Sequence, residues 1–129
     1  MGVYVKNLAE LNSKDLPHVG GKNASLGEMI QNLSSVGVSV PGGFATTSQA
    51  FQLFLSENNL KDEIDQSLDA LDVDDIGALK KCGEKIRNLI LQANLPDQIE
   101  QDIRQAYTKL EEQVSKNIAA RLVKTMGLF

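Results

Sequence analysis

The sequence predicts an α+β fold that is rich in helix and carries two or three short strands. Apolar residues recur at helical spacing in five stretches, whereas β-favouring residues form only short runs. The chain has 129 residues, of which 42% are hydrophobic and 23% charged, and such proportions are typical of a folded globular protein. Only 5% of the residues are aromatic, so we expect an aliphatic core.

Val3-Tyr4-Val5 is predicted to form a short strand, because its residues favour β structure. The next predicted element is a helix that begins at Leu26. Four of its residues have the i, i+3, i+4, i+7 spacing of one buried helix face: Leu26, Met29, Ile30 and Leu33. Ser25 and Glu28 have the spacing of a capping box at the start of this helix, and Gly37 can end it in a left-handed cap.

Two extended segments are predicted next, Val38-Ser39-Val40 and Phe44-Ala45-Thr46-Thr47, on either side of the turn Pro41-Gly42-Gly43. Ser48 is predicted to cap a short helix. Its expected buried residues are Phe51, Phe54 and Leu55.

Three further helices are predicted after Asn58-Asn59. The first has Ile64, Leu68 and Leu71 on one face. The second is expected to be capped by Asp74. The residues expected on its inward face are Ile76, Leu79, Cys82, Ile86, Leu89, Ile90 and Ala93. The third has Pro96 in its first turn and is expected to have this apolar side: Ile99, Ile103, Ala106, Tyr107, Leu110 and Val114.

The charge distribution argues against nucleic-acid binding, because the formal net charge is −4 and binding to phosphates needs clustered cations. Eight carboxylates lie between Glu57 and Asp75, with Lys61 as the one cation among them. This run lacks the glycine and the ligand spacing of a calcium loop. We therefore interpret it as a solvated helix surface and not as a cation or partner surface, and we predict no metal site.

Cys82 is the one cysteine, so the sequence allows neither an internal disulfide nor a cysteine-based zinc site. It falls within an apolar helical pattern and is interpreted as a core residue, not as a nucleophile. The N-terminus has no basic segment followed by an apolar one, and no run reaches the ~18 apolar residues that a membrane span needs. We expect a cytoplasmic protein without a membrane partner.

The stretch HVGGKNASLGEMI, residues 18 to 30, is the candidate functional motif. Gly20 and Gly21 let the backbone approach a ligand closely, and Lys22 adds a cation beside a helix start that already favours anions. It is not a Walker A loop, because Leu16 stands where that loop needs Gly and Asn23 where it needs Ser or Thr. It is not a G-x-G-x-x-G motif either. By this pattern alone, a glycine turn beside a surface lysine is the commoner case.

His18 precedes this motif and has no carboxylate or cysteine nearby in the sequence. We therefore interpret it as an exposed loop histidine.

The longer stretch from Val19 to Thr47 resembles the N-terminal segment of the bacterial phosphoenolpyruvate synthases, relatives of pyruvate phosphate dikinase. The similarity extends from about Tyr4 to about Lys109. Dikinases usually carry Gly-Ala-Asn after the lysine, so Asn23-Ala24-Ser25 is closer to the synthases. The resemblance implies that residues 1–114 form part of an ATP-grasp-like nucleotide-binding domain. In that domain Lys22 would contact the ATP phosphates, and Gly20 and Gly21 would shape the loop around it.

The resemblance also implies a reaction that converts ATP, pyruvate and water into AMP, phosphoenolpyruvate and phosphate with Mg²⁺. In this reaction a histidine on a mobile domain would carry the phosphoryl group between two distant sites. The metal ligands and that histidine belong to later parts of the family sequence, and His18 matches no catalytic position. The family continues with Val-Arg-Ser-Ser, whose arginine also binds the nucleotide. This chain has Leu122 after Arg121, so that role is not assigned to Arg121. We interpret residues 115–129 as a divergent C-terminal tail. This tail is expected to be a plain surface helix or a frayed end, in preference to a basic amphipathic helix.

Together these features predict a truncated nucleotide-binding segment that is inactive alone. Its expected partners are a nucleotide and the missing domains or a full-length synthase. The alternatives are a free-standing helical interaction module, or a fragment of a related dikinase or antibiotic phosphotransferase.

Overall fold

The computed structural model describes residues 2–126. The strands and α-helices of this part are β1 Val5–Asn7, α1 Leu16–Ser34, β2 Phe44–Thr46, α2 Ser48–Glu57, α3 Lys61–Asp69, α4 Ile76–Gln92 and α5 Asp97–Thr125. Two 3-10 helices, Leu8–Glu10 and Ser13–Asp15, lie between β1 and α1. The predicted helix-rich α+β fold is confirmed, with five α-helices and two strands in this described range.

The chain divides into two compact units. Unit 1 contains the residues up to Ala50 together with those from Asp97 onward, and unit 2 contains Phe51–Pro96. Unit 1 therefore holds both strands, α1, α5 and the candidate Gly-Gly-Lys motif. Unit 2 holds α3, α4 and most of α2.

The sheet of unit 1 is a short antiparallel pair, in which Val5 lies opposite Thr46 and Asn7 opposite Phe44. The predicted first strand is present but begins at Val5, and Val3 is exposed. The predicted strand at residues 38–40 is wrong, because those residues are irregular. The sheet of the described chain consists of β1 and β2 alone, and residues 38–40 pair with neither of them.

The core of unit 1 is built from small and aliphatic side chains. Leu8 packs against a buried cluster, which consists of Leu11, Val19, Ala24 and Ala45. From α5, Ile99 and Ala106 are also buried. The aliphatic core expected from the composition is confirmed in this unit.

The start of α1 differs from the prediction. Helical structure begins at Leu16, ten residues before the predicted start at Leu26, with a break at Gly20. Ser25 therefore lies inside the helix, where no free N–H groups need a cap. Glu28 instead accepts a hydrogen bond from the Ser13 N–H at 2.9 Å. The predicted capping box is wrong because this carboxylate serves a more distant part of the chain.

The buried face of α1 is also shifted towards smaller residues. Ala24, Gly27 and Ile30 are buried, whereas Met29 is exposed. A Cβ on Gly27 would lie 2.5 Å from the Leu11 carbonyl oxygen and 2.6 Å from that of Leu8. α1 thus approaches the backbone of the preceding segment through a glycine, which an apolar-periodicity pattern does not detect.

The predicted left-handed cap at the end of α1 is confirmed. Gly37 has a φ of 84°, and the Val38 N–H donates to the Leu33 carbonyl at 2.9 Å. The Gly37 N–H donates to Ser34, which completes a Schellman motif.

The start of α2 is capped one residue earlier than predicted. Thr47 is buried, and its Oγ1 accepts a hydrogen bond from the Ala50 N–H at 3.3 Å. The hydroxyl of Ser48 donates instead to the Pro17 carbonyl at 3.3 Å. Phe51, predicted to be buried, is exposed and stacks on Phe54 with ring centroids 6.3 Å apart.

In unit 2, polar side chains form hydrogen bonds with backbone groups at the ends of the helices. Asn58 Nδ2 donates to the Phe54 carbonyl at 2.8 Å and to the Asn94 carbonyl at 2.9 Å, which ties the end of α2 to the end of α4. α4 is capped by Asp75, whose side chain accepts from the Ala78 N–H at 3.1 Å. The predicted cap, Asp74, is therefore one residue too early.

Several residues of unit 2 that were predicted to face inward are exposed, namely Leu68, Ile76 and Leu79. A unit of three short helices has too little volume to cover every apolar position. Cys82 is half-buried, and its Sγ lies 3.6 Å from the Ser67 carbonyl oxygen, as expected for a packed side chain more than for a reactive one.

The acidic run of unit 2 lies on a solvated surface, as predicted. Lys61 pairs with Asp65 at 2.6 Å, and Lys85 lies 4.0 Å from Glu63. The hydrogen bond and charge of Asp65 raise the pKa of Lys61 above its ordinary value. These exposed pairs add little to stability.

α5 runs unbroken to Thr125, well past Val114, the last residue expected on its apolar side. No Gly or Pro occurs between Asp97 and Met126, so nothing in the local sequence stops the helix. Tyr107 and Val114, predicted to be buried, are exposed. The boundary proposed at residue 115 stays a prediction, and residues 127–129 of the tail lie outside the described range. No described helix is both long and apolar enough to cross a membrane.

Candidate nucleotide-phosphate site

The centre of the candidate site is a break in α1 at Gly20. Its φ of 80° and ψ of 164° are not helical, and the helix resumes after it. This backbone conformation is almost restricted to glycine. Nothing lies within 4 Å of the position that a Cβ on Gly20 would occupy, so the space beside the break is open. Of the two neighbouring glycines, only Gly20 has a positive φ.

Two buried side chains hold the break in place. Val19 precedes Gly20 and Ala24 follows it, and both belong to the core of unit 1. The side chain of Asn23 donates from Nδ2 to the Val19 carbonyl at 2.9 Å. This bond satisfies an acceptor next to the break, so Asn23 has a structural role in the motif.

Lys22 lies in the first turn after the break and is exposed. Within residues 2–126 its ammonium group takes part in no ion pair or hydrogen bond with another side chain. Gly21 is exposed beside it, and a Cβ there would meet Leu16 at an ordinary 3.9 Å. The three predicted residues are therefore contiguous at one accessible helix start.

His18 is not the exposed loop residue that the sequence predicted. It lies in the first segment of α1, is half-buried, and has Nδ1 3.4 Å from Gln49 Nε2 of α2. The Oε1 of Gln49 is buried without a hydrogen-bond partner in the described structure. Gln49 is 31 residues from His18 in the chain, and no local sequence signal relates them.

The described residues contain no group of three His, Cys, Asp or Glu side chains that could hold a metal ion. The donor set at the break is instead a lysine and backbone at a helix start, which fits a phosphate oxygen and not a cation. Any magnesium that accompanies a nucleotide would need ligands other than these.

Unit 1 also contains a cavity of about 510 Å³ away from the motif. Its walls come from the end of β1 and the 3-10 helix after it, the end of α1, the loop before β2 and the second half of α5. Polar side chains on these walls include Asn7, Ser34, Ser39, Gln113, Asn117 and Arg121. Neither Gly20, Gly21 nor Lys22 contributes to it.

The family described as "Pyruvate phosphate dikinase, AMP/ATP-binding domain" matches residues 16–124. This is most of the chain, and the chain belongs to that family.

Three curated relatives, each named phosphoenolpyruvate synthase, are similar to this chain. The protein from Pseudomonas aeruginosa is 55% identical over 107 residues, which cover 83% of this chain and 14% of that protein. The Deinococcus radiodurans protein is 49% identical over 106 residues, 82% of this chain and 14% of the relative. The Escherichia coli protein is 48% identical over 101 residues, 78% of this chain and 13% of the relative. The predicted resemblance is therefore confirmed, and the chain spans about one-seventh of the length of these relatives.

Proposed function

We propose that this chain is the N-terminal part of an ATP-grasp-like nucleotide-binding domain of a phosphoenolpyruvate synthase, and that Lys22 binds the phosphates of ATP. The observation that carries the proposal is the open break at Gly20, which puts Lys22 in the first turn of a helical segment. The family match supports the choice of nucleotide, because its description includes AMP and ATP binding.

The physical argument is electrostatic. The first N–H groups of a helical segment have no partner within the segment, and the helix dipole makes that end positive. A lysine in the same turn adds a full charge, and the open space beside Gly20 lets phosphate oxygens approach the backbone. Phosphoryl transfer depends mainly on such positioning and charge neutralisation. Gly20 would form the space, and Gly21 would keep the approach to Lys22 clear.

In a complete synthase this segment would act in the conversion of ATP, pyruvate and water into AMP, phosphoenolpyruvate and phosphate. Magnesium would neutralise the phosphates there, held by residues outside the Gly-Gly-Lys motif. The phosphoryl-carrying histidine and the pyruvate site would belong to the rest of the protein. We therefore propose that the isolated chain binds nucleotide weakly and catalyses nothing, and that the complete enzyme works in the cytoplasm.

The test of the site is calorimetric titration of the 129-residue chain with ATP. Lys22→Ala should weaken binding about tenfold or more, because it removes a charge-assisted hydrogen bond. Lys22→Arg should keep much of the affinity. Lys14→Ala is the matched control, since Lys14 is another exposed lysine in the same unit. Absence of ATP binding, or equal affinity of Lys22→Ala and the unmodified chain, would contradict the proposal.

The test of the fragment interpretation is an assay for AMP and phosphoenolpyruvate from ATP, pyruvate and Mg²⁺. We expect no turnover, and robust turnover would overturn this interpretation. Translation of the DNA beyond codon 129 in all three frames adds a second check. A Val-Arg-Ser-Ser segment there would support truncation of a synthase, whereas its absence would favour a free-standing interaction module.

A further inference from the structure

The break in α1 is not fixed by packing at Gly20 itself, since nothing lies within 4 Å of the position of a Cβ there. Glycine adopts several backbone conformations at similar free energy, so the break keeps one geometry only if the chain is held on both sides of it. After the break, α1 continues to Ser34, and Ala24 is buried in the core. Before the break lies one helical turn, Leu16–Val19, and a single turn is not stable by itself in water.

The start of α2 contacts this turn at two successive residues. The Ser48 hydroxyl donates to the Pro17 carbonyl at 3.3 Å, and Gln49 Nε2 lies 3.4 Å from Nδ1 of His18. α2 is itself fixed at this end, because Thr47 is buried and caps the helix. The turn before the break is therefore attached to a segment about 30 residues further along the chain, within the same compact unit.

The Gln49 amide is an unusual choice for a position that serves stability alone. Its nitrogen can only donate, so Nδ1 of His18 accepts and the neutral imidazole carries its proton on Nε2. Its Oε1 is buried, and no residue in the range 2–126 forms a hydrogen bond with it. A buried acceptor without a partner lowers the free energy of unfolding. An apolar side chain of the same length would avoid this loss, but it could not hold His18.

We propose that His18 and Gln49 are positioning residues for the phosphate site. Their contact holds the turn before the break, so that Lys22 and the helix start after the break have the ATP-binding geometry before ATP arrives. His18 lies two residues before Gly20, and Lys22 two residues after it. A site that is already ordered loses less conformational entropy when its ligand binds, so neither residue has to contact ATP. This inference rests on the proposed role of Lys22.

The first test replaces the amide and keeps the length of the side chain. Gln49→Met should lower the ATP affinity of the 129-residue chain about fivefold in calorimetric titration, the equivalent of one hydrogen bond. The midpoint of urea unfolding should stay equal or rise, because the unpaired buried oxygen is gone. Gln52→Met, an exposed position on the same helix, is the matched control and should change neither quantity. Unchanged affinity, or a loss of stability in parallel with the loss of affinity, would overturn the proposal.

The second test uses two replacements of His18 that keep different ring atoms. Asparagine places its amide near the position of Nδ1, whereas glutamine places its amide near that of Nε2. His18→Asn should retain most of the ATP affinity, and His18→Gln should lose about fivefold, as Gln49→Met does. The double variant of His18→Gln and Gln49→Met should lose no more than either single variant, because all three lack the same contact. The reverse order of the two His18 variants would assign a direct contact between Nε2 and ATP, and would overturn the positioning role.

Lys22→Ala separates the failure of this inference from the failure of the proposed function. If the unmodified chain binds ATP and Lys22→Ala weakens binding while Gln49→Met does not, the positioning role is wrong and the phosphate site stands. If the unmodified chain binds no ATP, or Lys22→Ala binds it equally well, the phosphate site and the positioning role are both wrong.

Discussion

Gly27 of α1 lies directly against the backbone of Leu11, and a Cβ at Gly27 would be 2.5 Å from the Leu11 carbonyl oxygen. The contact joins α1 to the segment that connects it to the sheet. Leu11 itself is almost completely buried, with 1% of its surface exposed. Because the neighbouring atoms are backbone, they cannot move aside as a flexible side chain would.

Gly27→Ala should therefore lower the free energy of unfolding of unit 1 by roughly 1–3 kcal/mol, as overpacking does in other well-packed cores. Urea unfolding followed by tyrosine fluorescence would measure this, since Tyr4 and Tyr107 both lie in unit 1 and the chain has no tryptophan. Gly21→Ala is the control in the same helix. It should leave stability equal or slightly increased, because its Cβ has room and alanine favours helix. Equal stability of Gly27→Ala and the unmodified chain would contradict the close approach.

Gly20→Ala should destabilise unit 1 for a different reason. The new Cβ would meet nothing within 4 Å, so the loss comes from the φ of 80° and not from a steric clash with neighbours. We expect roughly 1–3 kcal/mol, measured by the same urea unfolding. A fully stable Gly20→Ala protein would show that the break in α1 is absent in solution.

Gly37→Ala should weaken the end of α1 by about 1–2 kcal/mol, because an L-residue with a side chain is strained at a φ of 84°. Gly37→Asn should lose less, since asparagine tolerates this left-handed conformation. Gly42→Ala, whose Cβ would lie an ordinary 3.5 Å from Gln113, should remain near the stability of the unmodified chain. Indistinguishable unfolding midpoints for Gly37→Ala and Gly42→Ala would argue against the Schellman motif.

Thr47→Val should lower the free energy of unfolding by about 1–3 kcal/mol while it keeps the shape of the side chain. The Thr47 hydroxyl donates to the Val3 carbonyl at 2.6 Å and accepts from the Ala50 N–H at 3.3 Å. Valine leaves both backbone groups without that partner. Thr47→Ser keeps the hydroxyl and should retain most of the stability, and equal losses in the two variants would assign the effect to packing instead.

Much of the fold was predictable because its signals are local. The apolar periodicity identifies the five α-helices of residues 2–126, and Gly37 terminates α1 through residues within five positions of it. The conformation of Phe44–Thr46 also follows from its own residues. The Gly-Gly-Lys motif was found in the same way, because its glycines, lysine and helix start are neighbours in the chain.

The caps and the buried face of α1 were less predictable, since they depend on distant residues. Glu28 was expected to cap its own helix but accepts a hydrogen bond from Ser13, 15 residues away. Thr47, not Ser48, caps α2, and the same hydroxyl reaches Val3 across 44 residues. Each side chain could satisfy a local or a distant partner, and packing decided between them.

The sequence by itself determined the helical composition, the family and the position of Lys22 after two glycines. Only the tertiary structure decided that Gly20 breaks α1 while Gly21 does not, and that the apolar residues at the end of α5 remain exposed. The physical reason is that periodicity describes which residues share a face of a helix. Whether that face is covered depends on what the rest of the chain places against it.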